Sequence, residues 1–146
     1  VGSPRRLETT VIGDTVNLAS RIERINKVYG TQLVISDAVF KHLPDDSGIS
    51  ARELDAIRVR GKKQPIVLYE ILNGLSPDIF ALRLEHMSAY MTALLAFRTG
   101  DFAAAKDGFQ EYLGRVGEDS VARMYLKRLD SVKQTDTWDG IWEAEV

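Results

Sequence analysis

A change of period at Ser76-Pro77-Asp78 divides this 146-residue chain into two kinds of sequence. Before it, apolar residues come in short runs separated by turn signals; after it, every apolar pattern recurs at helical spacing. The break is itself a helix start, with proline in the first turn where no N–H partner is needed. A chain so divided is expected to be α+β, with an α/β part over 1–74 and an all-helical part over 75–146. Its length holds one ordinary domain, or one domain with a small appendage.

A hydrophobic content of 45% with 27% charged residues places the chain among soluble globular proteins. The formal net charge of -2 argues against a broad basic surface for nucleic acid. Without cysteine there is no disulfide framework and no thiolate zinc site. His42 and His86 lie in separate segments, so no histidine-based metal site is expected. No run of 18 apolar residues occurs, and neither a membrane span nor a signal peptide is expected. The chain opens on Val1-Gly2-Ser3-Pro4, which reads as the far end of a hairpin lacking its first strand. It is expected to be a C-terminal piece of something longer.

The α/β part begins with Thr9-Thr10-Val11-Ile12-Gly13-Asp14-Thr15-Val16-Asn17-Leu18-Ala19-Ser20-Arg21. Val11 and Ile12 end a short strand, Gly13 permits a sharp turn and Asp14 caps a helix running to about Val28. Leu18, Ile22, Ile25 and Tyr29 form its buried stripe; Asn17 and Arg21, one turn apart, lie on a neighbouring one. Tyr29-Gly30 is the stop. Leu33-Val34-Ile35 suits a short buried strand, and Ser36-Asp37 caps a helix through Leu43 with Val39, Phe40 and Leu43 inward. Leu54 to Arg60 and Ile66 to Leu72 read as a hairpin, the second strand central. Its tip gathers Arg58, Arg60, Lys62 and Lys63. These cations suit either the guard of an exposed sheet edge or a polyphosphate clamp.

In the helical part, Phe80, Leu84, Met87, Met91 and Leu94 make a stripe ending at Thr99-Gly100. Asp101 opens a helix with Phe102, Ala105, Phe109 and Leu113 inward, and another from about Asp119 carries Val121, Tyr125, Leu129 and Val132. The spacing of Ala93, Gly100, Phe102, Ala105 and Phe109 resembles one tetratricopeptide-like unit. Such a unit cannot bury its own face, so it must pack on the α/β part or on another subunit. Trp138 and Trp142 read as a docking tail over exposed apolar surface.

The segment Thr10-Val11-Ile12-Gly13-Asp14-Thr15-Val16-Asn17-Leu18-Ala19-Ser20-Arg21 closely resembles the part of class III nucleotidyl cyclases that carries a transition-state Asn and Arg. Val59-Arg60-Gly61-Lys62 is similar to that family's strand-end Val-Lys-Gly-Lys, and the resemblance spans about Val1 to Leu72. It implies the C-terminal portion of a ferredoxin-like cyclase domain, paired head to tail in a homodimer, acting on ATP or GTP. By this resemblance Asn17 and Arg21 are catalytic: Asn17 positions the ribose and 3′-hydroxyl, and Arg21 stabilises charge on the α-phosphate. Thr10, Val11 and Arg60 would bind substrate, Arg60 in place of a triphosphate-binding lysine, and Lys62 would steer phosphate. Thr10 stands where many members have a purine-reading Asp, which leaves the base open. The family's Mg²⁺ or Mn²⁺ ligands lie upstream of the hairpin, outside this chain, so the chain alone is expected not to cyclise ATP. The helices resemble the extension of bacterial membrane-anchored sensor cyclases, which would make this chain the cytoplasmic end of a protein held in the inner membrane. A regulatory cyclase-like dimerisation domain and a helical interaction module are the competing readings.

Overall fold

Arg52 and Asp55 lie an odd number of residues apart in one strand, yet both are buried beneath helices. The computed structural model, which describes residues 23–61, 63–132 and 137–144, shows why. In the antiparallel pair of β2 (Ala51–Val59) and β3 (Ile66–Ile71), Glu53 faces Tyr69 and Asp55 faces Leu68, so Leu54 has no opposite residue. One extra residue slips the alternation by one position. Arg52 and Leu54 before the slip, and Asp55, Ile57 and Val59 after it, are all buried. The bulge leaves two carbonyls for other partners: the Tyr90 hydroxyl donates to Glu53 O at 2.8 Å and the Tyr125 hydroxyl to Leu54 O at 2.6 Å.

The described sheet has the order β1-β3-β2-β4, with β1 (Val34–Ser36) antiparallel to β3 and β4 (Trp142–Ala144) parallel to β2. β3 is therefore central, as its apolar run requires, and with the helices the architecture is α+β. Helix α1, residues 23–29, precedes β1. It stops where Gly30 takes φ 66°, and Thr31 N–H reaches back to Asn26 O at 3.0 Å. Helix α2 (Asp37–Phe40) is capped by Ser36 Oγ, which accepts from Val39 N–H. Its single turn directs one ring to the sheet: Phe40 stacks on Tyr69 with centroids 4.1 Å apart. Val39, expected inward, is 50% exposed.

The helical part comprises α3 (Pro77–Glu85), α4 (Met87–Thr99), α5 (Phe102–Val116) and α6 (Ser120–Ser131). Asp101 and Asp119 cap α5 and α6 through their carboxylates, at 3.2 Å from Ala104 N and 3.0 Å from Val121 N. The expected stripe from Phe80 to Leu94 is buried only in part: Leu94 is in the core and Met87 and Met91 pack against it. The helix breaks at His86, which resets the face, and Tyr90, Ala93, Leu94 and Phe97 point inward while Leu84 is 42% exposed. α4 and α5 approach so closely that a Cβ on Gly108 would come within 2.9 Å of Ala93 Cβ.

These helices bury their apolar face on the sheet of the same chain. One core cluster joins Leu54, Ile57 and Leu68 to Tyr90, Phe97, Phe109 and Tyr125, with Ile25 and Tyr29 of α1 included. Phe109 and Tyr125 stack at 4.9 Å across α5 and α6. The tail docks as its tryptophans suggest. Trp138 packs edge-on to Phe97 and Phe102, and its Nε1–H donates to Phe97 O at 3.0 Å. Each such ring pair contributes about 0.5–1.5 kcal/mol beyond area burial.

Candidate functional site

At the hairpin tip the four cations have different fates. β4 covers the outer side of β2, so β2 is not an edge and needs no guard. Arg58 faces that strand, with Nη2 2.8 Å from Asp139 and Nη1 paired to Glu143. Those bonds raise its pKa further above the arginine range, and they remove it as a phosphate clamp. Arg60 lies just past the strand end, exposed, with no ion-pair partner among the described residues. Gly61 follows at φ 85°, which turns the chain back toward β3. Lys63 is exposed in the same turn. Asn17, Arg21, Thr10, Val11 and Lys62 lie outside the described residues.

What is described of the signature helix is its C-terminal end. Ile25 and Tyr29 are buried, as the stripe requires, at 2% and 3% exposure. Burial, reinforced by the Asp55 charge, pushes the Tyr29 phenol well above its ordinary range, so it remains a donor. Its hydroxyl donates to Asp55 Oδ2 at 2.6 Å. Arg128 completes this cluster: Nη1 lies 2.7 Å from Asp55 Oδ2, and the guanidinium sits 4.3 Å over the Trp142 ring.

A second buried cluster centres on Arg52. Its Nε donates to Glu70 at 2.7 Å, and Nη1 and Nη2 reach Asp119 at 2.6 and 2.9 Å. The guanidinium lies 4.4 Å over the Tyr90 ring. Burial alone would raise the Asp119 carboxyl. The Arg52 hydrogen bonds and charge, joined by Arg83 and Tyr112, reverse that and hold it below the usual carboxylate range. The two sheet-to-helix pairs are reciprocal: β2 gives the cation to Asp119 in one and the anion to Arg128 in the other. Sequence reading missed both, because Arg52 and Asp119 look like surface charges. The one signal was Asp55, an acid interrupting an apolar alternation.

Among the described residues no group of three or more His, Asp or Glu side chains is placed to hold a metal ion. The described residues therefore offer no site of their own for the Mg²⁺ or Mn²⁺ that the resemblance implies. Among the same residues no helix is long and apolar enough to cross a membrane.

No family model and no solved structure matches the chain. An adenylate cyclase of Anabaena cylindrica is 42% identical to it over 72 residues, 49% of this chain and 14% of that protein. Adenylate cyclase 1 of Rhizobium meliloti (strain 1021) is 39% identical over 72 residues, 49% of this chain and 10% of the relative. The terminal-differentiation-specific adenylate cyclase of Dictyostelium discoideum is 26% identical over 129 residues, 88% of this chain and 6% of its own length. The chain thus spans at most 14% of the length of these relatives. Over about half of its length, their similarity supports a nucleotidyl cyclase relationship for this chain.

Proposed function

We propose that the chain is the C-terminal part of a nucleotidyl cyclase catalytic domain that converts ATP to 3′,5′-cyclic AMP and pyrophosphate in signal transduction. The observation that carries this reading is the 42% identity with an adenylate cyclase over 72 residues. In it, Asn17 orients the ribose so that the 3′-oxygen faces the α-phosphorus. As that oxygen attacks it gives its proton to solvent, a bond to phosphorus forms, and the bond to the pyrophosphate oxygen breaks, its electron pair leaving with pyrophosphate. Arg21 meets the negative charge that builds on the α-phosphate, a preorganised electrostatic role. Arg60 takes the triphosphate. Its exposed guanidinium, with no ion-pair partner among the described residues, keeps its forked donors for phosphate oxygens. Lys62 steers the same phosphates, and Thr10 and Val11 bind substrate, Thr10 at the position that reads the purine.

The domain works as a homodimer, and Mg²⁺ or Mn²⁺ ligands come from upstream sequence. Those ions neutralise the triphosphate when bound. The helical part follows as an extension of the domain, at the cytoplasmic end of a membrane-anchored sensor protein.

Replacing Arg21 with Ala in the full-length protein is predicted to lower turnover by about 100-fold or more, the scale for losing one charge-stabilising group. Sedimentation should show the dimer intact. Undiminished cyclic AMP production by that variant would overturn the assignment. The 146-residue chain alone, given ATP and Mn²⁺, is expected to yield no cyclic AMP.

A further inference from the structure

The helix that sequence reading carries through Asn17 and Arg21 ends in a joint made by the helical part of the chain. The last carbonyls of α1 have no partner within their own helix. Ser120 supplies one: its Oγ donates to Tyr29 O at 2.6 Å and lies 3.3 Å from Gly30 O. A Cβ on Gly30 would lie 3.0 Å from Ser120 Oγ, so the two segments meet about as closely as glycine allows. Ser120 is the first residue of α6, so the positive end of one helix abuts the negative end of the other. Two turns on, Arg128 Nη2 donates to the Tyr29 hydroxyl at 3.1 Å, while its Nη1 pairs with Asp55. Asp55 stands at the bulge of β2, on the strand that leads to Arg60. Thus a phenol–carboxylate bond joins α1 to β2 beside their shared apolar core, and α6 grips both of its members.

We infer that α6 is a positioning clamp of the nucleotide site, Ser120 and Arg128 fixing how α1 stands against β2, the strand that leads to Arg60. The inference rests on the cyclase reading above. Neither residue touches substrate; both act through the elements they hold. A triphosphate gripped by Arg60 must be held in register with the groups that act on its α-phosphorus, and a misplacement of about 1 Å can cost 100-fold in rate. The helical part is then a route of control. A force that displaces α6 changes turnover without entering the nucleotide groove.

The test uses Ser120→Ala and Tyr29→Phe in the full-length protein, at a temperature where circular dichroism shows both folded. Arg123→Ala is the control, since that side chain is exposed on α6 and pairs with Glu118. The clamp predicts that kcat and kcat/KM fall together, by about tenfold, with KM for ATP unchanged, as for loss of a group aligned only in the transition state. It also predicts faster hydrogen exchange at residues 23–29 in both variants and not in the control. If Arg21→Ala abolishes turnover while Ser120→Ala and Tyr29→Phe keep wild-type kcat, the clamp is wrong and the cyclase reading stands. If the wild type makes no cyclic nucleotide, the cyclase reading fails, and unchanged exchange at 23–29 would then refute the joint as well.

Discussion

A guanidinium with no exposed surface, that of Arg52, governs the residue scale. A buried ion cluster adds little net stability, because desolvation offsets the attraction, but removing one member strands the others. Arg52→Met is predicted to cost about 3–5 kcal/mol, read from urea denaturation at pH 7. The pH dependence follows from Asp119, whose pKa is held low in the folded state. A depressed carboxyl contributes stability that is present above its unfolded pKa of about 3.9 and is lost as pH falls through the folded value. Without Arg52, burial acts on Asp119 with less opposition, its pKa moves up, and the charged form becomes the costly one. The stability gap between wild type and Arg52→Met should therefore widen from about pH 4 to pH 7. A gap independent of pH would mean that Asp119 does not report on Arg52.

At the scale of elements, the close crossing of α4 and α5 makes a separate prediction. Gly108→Ala gains about 1 kcal/mol of helix propensity but drives its methyl into Ala93, which has no flexible end to move. A net loss of about 1–2 kcal/mol is expected, and the paired change Ala93→Gly should recover the overpacking part of it when both are melted side by side. Much of the element plan was legible because its signals are local. The glycine after Tyr29, the Ser36 and Asp101 caps, Pro77 and the hairpin turn each act within a few residues. What escaped the sequence depends on partners far along the chain. Leu54 is displaced as a bulge because Tyr90 and Tyr125 stand ready for the carbonyls of Glu53 and Leu54. The stripe failed at Leu84, before the break, while Met91 and Leu94 beyond it meet the core, because the break at His86 leaves no phase to carry across. Of the candidate site, Arg60 was legible as a strand-end cation. Its neighbour Arg58 was not distinguishable from it until β4 arrived with Asp139 and Glu143.

Over the whole molecule, the sheet and the helices share one core, and β4 returns from the far end of the helical part to complete it. Arg58 and Glu143, which face each other there, are separated by 85 positions. A pairing of that span forms late, since loop closure must precede it. During synthesis β2 leaves the ribosome long before its outer neighbour exists, and its open rim can recruit a second nascent chain. Deleting 137–146 is predicted to keep most of the far-ultraviolet circular dichroism yet cause concentration-dependent association in light scattering beyond that of the intact chain. Association no greater than that of the intact chain would show that the rim is protected by other means. Adding the deleted segment as a free peptide should suppress the association, because it caps the same row of backbone donors and acceptors. The closing strand is thus a quality-control device: a polypeptide cut short before it advertises its incompleteness by sticking to its neighbours.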